Sequence, residues 1–189
     1  MKKLFIIFIF ALNLNGAEKL NGISGHLGGL FLPGPFFSFE GGAAYERILS
    51  ERLALSINGS YNSLIVPLGF GEVDAFGVDA FLDVMAIKFN PDKFSHGLIF
   101  SIGTGLHMTS VHLSGYLPGK FEEVESGKYL TIPISAGIFY LKKFSNDLYF
   151  KVGIKSPLIG KNLPILKSHD IDEGLLAPKF SLSIGYRFL

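Results

Sequence analysis

The residues best suited to covalent chemistry are a histidine and a serine two positions apart, His112 and Ser114, with Glu122, Glu123 and Glu125 shortly after them. A histidine that is oriented by a carboxylate and removes the proton of a serine hydroxyl can hydrolyse esters. His112 would be the general base and Ser114 the nucleophile, while Glu123 or Glu125 would orient the base. We favour the simpler alternative, polar residues near a strand end without a catalytic role, because a histidine and a serine at this spacing are common by chance.

A second set of residues carries charge on one face of the predicted strands. Its members are four acids and four bases: Glu40, Glu46, Asp79, Asp83, Lys151, Lys155, Lys179 and Arg187. His26 and His107 share this face. One interpretation is an ion path or gate. The interpretation that we favour is a network of ion pairs that fills the interior, because buried charges must be paired.

Other chemistry finds little support in the sequence. There is no cysteine, so disulfides and thiol chemistry are excluded. No cluster of potential ligands has the spacing of a metal site, and the glycines at 41–42 and 103–105 lie within strands instead of a phosphate-binding loop. The net charge of +1 gives no sign of nucleic-acid binding. We therefore predict no metal, no cofactor and no nucleic-acid partner.

The elements that position these residues are strands, because apolar and polar residues alternate with a period of two. The fourth segment changes phase near Ile87, which predicts a bulge. Eight segments show the pattern: Asn21–Leu32, Phe36–Leu49, Arg52–Asn62, Asp74–Phe89, Gly97–Tyr116, Lys128–Lys142, Asp147–Leu158 and Ala177–Leu189. The sequence thus predicts an all-β protein, an antiparallel eight-stranded transmembrane β-barrel.

The N-terminus reads as a segment apart from the barrel. Lys2 and Lys3 precede an apolar run from Leu4 to Leu12, which is shorter than the roughly 20 residues that a membrane-spanning helix needs. This is the pattern of a secretory signal peptide. We predict a signal peptide over residues 1–17 and one barrel domain over residues 18–189.

Period two does not by itself say which face points inward. A lipocalin-like barrel would turn its apolar face toward a ligand inside. Its other face would then be rich in lysine and glutamate, whereas here that face is mostly small and polar, and only 17% of all residues are charged. Aromatic residues also lie near strand ends, as in the interfacial girdles of membrane barrels. We therefore predict that the apolar face contacts lipid.

The lengths of the links predict the orientation. Short links follow the second, fourth and sixth strands, whereas long ones are expected at Ser63–Val73, Leu117–Gly127 and Ile159–Leu176. The first link on the long side, Pro33–Pro35, is a short exception. Such alternation is typical of outer-membrane barrels with both termini in the periplasm. The links 63–73 and 159–176 are unusually apolar. They are candidates for binding a surface ligand, for packing over the barrel mouth, or for admitting a hydrophobic solute.

The residues Gly185, Tyr186, Arg187 and Phe188 resemble the C-terminal assembly signal of bacterial outer-membrane proteins. Together with the strand count and the link lengths, they make the chain similar to the small outer-membrane barrels that include the OmpA transmembrane domain, OmpX and the Ail adhesins. The resemblance implies a non-catalytic protein of the cell outer membrane, surrounded by lipid and lipopolysaccharide and recognised by the barrel assembly machinery.

Two alternatives within outer-membrane barrels remain open. The residues His112 and Ser114 with the following glutamates resemble the arrangement in lipid A deacylases, which implies an esterase. The apolar links resemble those of OmpW-type barrels, which implies a conduit for small hydrophobic molecules.

Overall fold

The computed structural model describes residues 21–30, 37–50, 52–66, 71–89, 96–117, 120–144, 147–166 and 178–188. They form eight strands: β1 (Asn21–Leu30), β2 (Phe37–Ser50), β3 (Leu53–Val66), β4 (Gly71–Lys88), β5 (His96–Leu117), β6 (Lys120–Lys143), β7 (Leu148–Leu166) and β8 (Lys179–Phe188). Residues 1–17, the predicted signal peptide, lie outside the described residues. None of the described residues belongs to a helix with the length and hydropathy that crossing a membrane requires.

The strands form one closed barrel in which each strand is antiparallel to its neighbours. Closure depends on β1, which pairs with β2 on one side and with β8 on the other, so that Asn21 lies opposite Phe188 and Leu30 opposite Lys179. A closed barrel leaves no exposed sheet edge along the paired length. The predicted fold class and strand number are confirmed.

The apolar face of the strands lies on the outside of the barrel. On β3, Ile57 is 55% exposed, whereas its neighbour Ser56 is only 4% exposed. The same holds on β8, where Ile184 is 63% exposed and Ser183 only 8%. A lipocalin-like arrangement requires the opposite, and these exposures exclude it.

The predicted change of phase in the fourth strand is confirmed. The register between β4 and β5 shifts between Met85 and Ile87, so that one residue of β4 is left without a partner. Beyond the shift, Ile87 and Phe89 take the outward positions. The bulge therefore keeps apolar residues on the outer face to the end of the strand.

Two of the three predicted long links are wrong, and the third is shorter than predicted. Pairing between β3 and β4 continues to Val66 and Gly71, and pairing between β5 and β6 continues to Leu117 and Lys120. Strand β7 also continues to Leu166. Links of residues 67–70, 118–119 and 167–178 remain. The candidate surface loop 63–73 is therefore mostly strand, and 159–166 belongs to β7, while 167–176 lies outside the described residues.

For the segment 63–73, the reason is a change in what faces the lumen. We call the barrel end at which β1 begins and β8 ends the terminal end, and the opposite end the distal end. Near the distal end the inward positions are apolar, and their side chains form a buried cluster: Leu64, Val73, Val111 and Tyr129. A sequence interpretation that expects polar residues in the lumen predicts a loop where both faces are apolar. The backbone nevertheless continues to pair there.

Candidate functional site

The lumen holds the charged side chains, in two layers between apolar clusters. A cluster of Met85, Ile99, Phe139, Leu141 and Tyr149 fills the terminal end, and the cluster around Leu64 fills the distal end. Strands β2, β4 and β7 each contribute one charged side chain to each layer, at positions four or six residues apart on the inward face of the strand.

The layer nearer the terminal end is centred on Lys151. Its Nζ donates a hydrogen bond to Oδ2 of Asp83 over 2.8 Å and lies 3.5 Å from Oε1 of Glu46. The Ser101 hydroxyl donates to Oδ1 of Asp83 over 2.5 Å. Nζ of Lys151 also lies 4.8 Å from the centre of the Phe139 ring, a distance at which a cation is attracted to the ring face. One buried lysine thus bridges two carboxylates across the lumen.

The layer nearer the distal end is centred on Glu40, which is fully buried. Its Oε1 lies 3.2 Å from Nζ of Lys155, and its Oε2 lies 3.1 Å from Nζ of Lys179. Lys155 also approaches Oδ2 of Asp79 at 3.7 Å. Two carboxylates and two ammonium groups therefore meet in one layer, which balances their formal charge.

Two histidines extend this distal layer. Nε2 of His107 lies 2.7 Å from Oδ1 of Asp79, and Nε2 of His26 lies 3.5 Å from Oε1 of Glu40. The parity of both residues along their strands indicates an inward direction, but parity gives no distance. The structure shows that each imidazole contacts a carboxylate.

Arg187, the last of the predicted inward charges, contacts an aromatic ring. Its guanidinium carbon lies 5.1 Å from the centre of the Tyr149 ring, and its Nε has no hydrogen-bond partner among the described residues. Tyr149 itself is fully buried. Arg187 therefore stacks on an aromatic residue of the terminal cluster, which the sequence did not predict.

Glycines provide the space for the inward aromatic rings. A Cβ atom at Gly185 would collide with the ring of Tyr149, and one at Gly103 would collide with the ring of Phe81. The sequence signal for these contacts is a glycine on the inward face of a strand, which often marks a close approach of another group. The rings that lie over these glycines help to fill the lumen.

Replacement of Gly185 by valine tests this packing. We expect Gly185→Val to destabilise the barrel by about 1–3 kcal/mol, because the added carbons force Tyr149 out of its place. Gly59→Val is the matched control, since a Cβ there meets no atom within 4 Å. Urea unfolding of both variants in the same detergent measures the difference. Equal stability of the two would show that Tyr149 is not held by contact with Gly185.

The space left in the charged part of the lumen is small. One cavity of about 30 Å³ is lined by residues that include Ser24, Asn58 and Lys151, and another of about 20 Å³ adjoins His107 and Lys179. A water molecule needs at least about 10–15 Å³ measured in this way. Each of these cavities therefore has room for one or two water molecules.

His112 lies on the outer face near the distal end. It is exposed, and its Nε2 lies 3.4 Å from Oγ of Ser110. The backbone register places Ser114 opposite Glu123 and Leu113 opposite Glu125. The side chains of Ser114, Glu123 and Glu125 lie outside the described residues, so a catalytic set with His112 stays the alternative to the role without catalysis that we predict. Ser110, which contacts His112, was not among the predicted residues.

Across the described strands, no three histidine, aspartate or glutamate side chains come together as ligands for a metal ion. The acids that share a layer are separated by lysines, as with Glu46 and Asp83 on either side of Lys151. Such an arrangement pairs the carboxylates with ammonium groups. The chemistry that it offers is mutual ion pairing.

Several solved structures have a similar path of the chain. Ail of Yersinia pestis in a phospholipid nanodisc has 12% identity and a TM-score of 0.48, and the match covers 90% of this chain and all of that one. The N-terminal β-barrel domain of OprF from Pseudomonas aeruginosa has 13% identity and a TM-score of 0.46, with 92% of this chain and all of that one covered.

Neisserial surface protein A has 12% identity and a TM-score of 0.41, with 89% of this chain and 94% of that one covered. No protein-family model and no curated protein sequence matches the chain significantly. At these identities, ligands and activity have to be argued from this chain's own residues.

Proposed function

We propose that the protein is a non-catalytic outer-membrane barrel with a plugged lumen, which has a structural or surface-interaction role. The observation that carries the proposal is the inverted arrangement of its faces. Apolar side chains such as Ile57 and Ile184 point outward, whereas the buried interior holds Glu40, Lys151 and other charges. An apolar outer surface is stable in lipid, and a closed barrel satisfies its backbone hydrogen bonds there.

The height of the apolar surface fits a bilayer. On β5 the outward residues from Leu98 to Met108 are apolar except for Thr104. About ten residues at about 3.4 Å each, tilted by about 40°, cover roughly 26 Å along the barrel axis. Outer-membrane barrels have an apolar band of about 25 Å, so the surface spans a membrane.

Aromatic side chains border this surface at both ends. Tyr45 and Tyr186 are exposed near the terminal end, and Tyr61 and Phe76 are exposed near the distal end. The Tyr45 hydroxyl donates to Asn21 and the Tyr61 hydroxyl donates to Asp74, each over 2.7 Å. Such rings, with one apolar side and one polar tip, are typical of membrane interfaces.

The filled lumen supports a role other than transport. Ion pairs occupy the middle of the barrel, and apolar clusters occupy both sides of it. An eight-stranded barrel is just wide enough to be filled by side chains. A barrel of this kind is anchored in the envelope and presents the surface of its distal end. A ligand would bind at that surface.

The position of β8 supports recognition by the barrel assembly machinery. This strand closes the barrel between β7 and β1, and Tyr186 and Phe188 point outward on it. An assembly factor would therefore meet these two side chains before closure. Cleavage of residues 1–17 and a periplasmic position of both termini complete the proposal.

Gel mobility and conductance test the proposal together. We expect the purified protein in mild detergent to migrate faster on an SDS gel when unheated than when boiled, because a closed barrel stays compact. We also expect no steady current in planar lipid bilayers, because side chains fill the lumen. A water-soluble monomer without a mobility shift would refute the membrane barrel, whereas stable ion-conducting steps would refute the plugged lumen.

A further inference from the structure

Outward cations surround the terminal end of the barrel. Arg52 is exposed in the turn between β2 and β3, and Lys142 is exposed near the end of β6. Arg47 has the outward parity of Tyr45, and its Nη1 donates to Oδ1 of Asn21 over 2.5 Å. Three side chains that carry a positive charge thus lie just beyond the apolar surface. We call Arg47, Arg52 and Lys142 the terminal cations.

Among the described residues of this end, the carboxylates do little to neutralise them. The exposed Asp147 contacts Nζ of Lys143 at 3.3 Å, so that this carboxylate already has a partner. Among the described side chains, none places a carboxylate within ion-pair distance of Arg52 or Lys142. The positive charge of these two residues is therefore directed to the surroundings of the barrel.

Aromatic rings hold one part of this rim at the level of lipid headgroups. The His96 ring stacks on Phe89 with 5.4 Å between centroids and lies 6.3 Å from the Tyr140 ring. Lys142 lies opposite His96 in the register, and its Nζ is 5.5 Å from the centre of the Phe144 ring. Tyrosine rings such as that of Tyr140 are enriched at the membrane–water interface, which places the nearby Lys142 ammonium group there as well.

Among the described outward side chains, the distal end has the opposite balance of charge. Its described outward side chains include the carboxylates of Glu72 and Asp74, the latter bound to the Tyr61 hydroxyl, and one exposed lysine, Lys128. The two ends of the barrel therefore attract headgroups of different charge. Anionic headgroups find their complement at the terminal end.

We infer that the terminal cations bind the headgroups of anionic phospholipids. The inference rests on the proposed function, because the terminal end then lies in the periplasmic leaflet, which consists of phospholipid. Each basic residue near an anionic membrane surface contributes about 1 kcal/mol of attraction, which is about fivefold in affinity. The partner is a lipid with a phosphate and no compensating amine, such as phosphatidylglycerol.

Spin-labelled lipids test this inference with the full barrel. The protein is reconstituted in phosphatidylcholine vesicles that contain a trace of spin-labelled phosphatidylglycerol or spin-labelled phosphatidylcholine. Electron paramagnetic resonance then gives the ratio of the association constants of the two labels. We expect the unsubstituted protein to prefer phosphatidylglycerol, and the double variant Arg52→Gln/Lys142→Gln to lower the ratio by up to about 25-fold, fivefold for each residue removed.

Lys128→Gln is the matched control, because it removes one exposed lysine from the distal end, and we expect it to leave the ratio unchanged. Equal affinity for the two labels in the unsubstituted protein would overturn the inference. A fall in the ratio with Lys128→Gln as large as with the double variant would also overturn it. The attraction would then come from the net charge of the protein and not from the terminal cations. If the protein gives one of these two results but keeps its heat-dependent gel mobility, the inference fails and the membrane barrel stands. Protein that fails to enter vesicles refutes both the inference and the membrane barrel.

Discussion

Glu40→Gln is expected to lower the free energy of unfolding by about 3–5 kcal/mol. Glu40 is fully buried and lies within 3.2 Å of both Lys155 and Lys179. Glutamine keeps the shape of the side chain but removes its charge, so two ammonium groups remain in the lumen with Asp79 as the carboxylate of their layer. An uncompensated buried charge is costly, because the one or two water molecules for which the adjoining cavity has room do not replace a carboxylate partner.

Glu72→Gln provides the control for this variant. Glu72 also lies on a strand of the barrel, β4, but it is exposed on the outer face near the distal end. Removal of an exposed charge typically changes stability by less than about 1 kcal/mol. Unfolding by urea in one detergent gives both values, with gel mobility as a check that the starting material is folded. If Glu40→Gln costs no more than Glu72→Gln, the distal layer does not stabilise the barrel through its charges.

The direction of these side chains follows from the sequence, but their partners do not. Period two assigns Glu40 and Lys155 to the same face of their strands, and the structure places both in the lumen. Parity does not give the height of a residue along the barrel axis, which depends on the stagger between neighbouring strands. The contact of Lys155 with both Glu40 and Asp79 therefore required the register of β2, β4 and β7.

The distal end shows where the pattern fails for a physical reason. Leu64, Ile65 and Val66 form a continuous apolar run, which has no period of two. In the barrel Leu64 points into the lumen and Ile65 outward, so both faces are apolar at this height. The sequence indicated an interaction surface or a cover over the mouth, and Leu64 in fact packs with Val73 inside the barrel. Strand length was underestimated at this end because an apolar plug hides the alternation.

Arg187 marks the other limit of the sequence interpretation. Its parity indicates an inward cation, and it is buried in the structure. The group that it faces is the ring of Tyr149, a residue of the terminal apolar cluster. An inward charge can thus be accommodated by an aromatic face, and charge counting along the strands does not distinguish this from ion pairing.

Lys151 permits a sharper test of what the ion pairs contribute. Lys151→Met removes the ammonium group that contacts Asp83 at 2.8 Å and Glu46 at 3.5 Å. Two buried carboxylates then face each other across the lumen without their shared partner. We expect a loss of about 3–5 kcal/mol in the free energy of unfolding. Lys128→Met, at an exposed position of β6, is the matched control and should change stability by less than about 1 kcal/mol.

The same layer can then be neutralised completely. In the triple variant Lys151→Met, Asp83→Asn and Glu46→Gln, no charge of the bridge remains, and replacement of a whole buried ion network by neutral residues is often neutral or stabilising. We therefore expect the triple variant to recover most of the stability that Lys151→Met alone loses. A triple variant as unstable as the single one would mean that the contacts themselves hold the strands together. Recovery would mean that the main cost of the single change is the loss of the cation between two buried carboxylates, and that the layer chiefly fills the lumen.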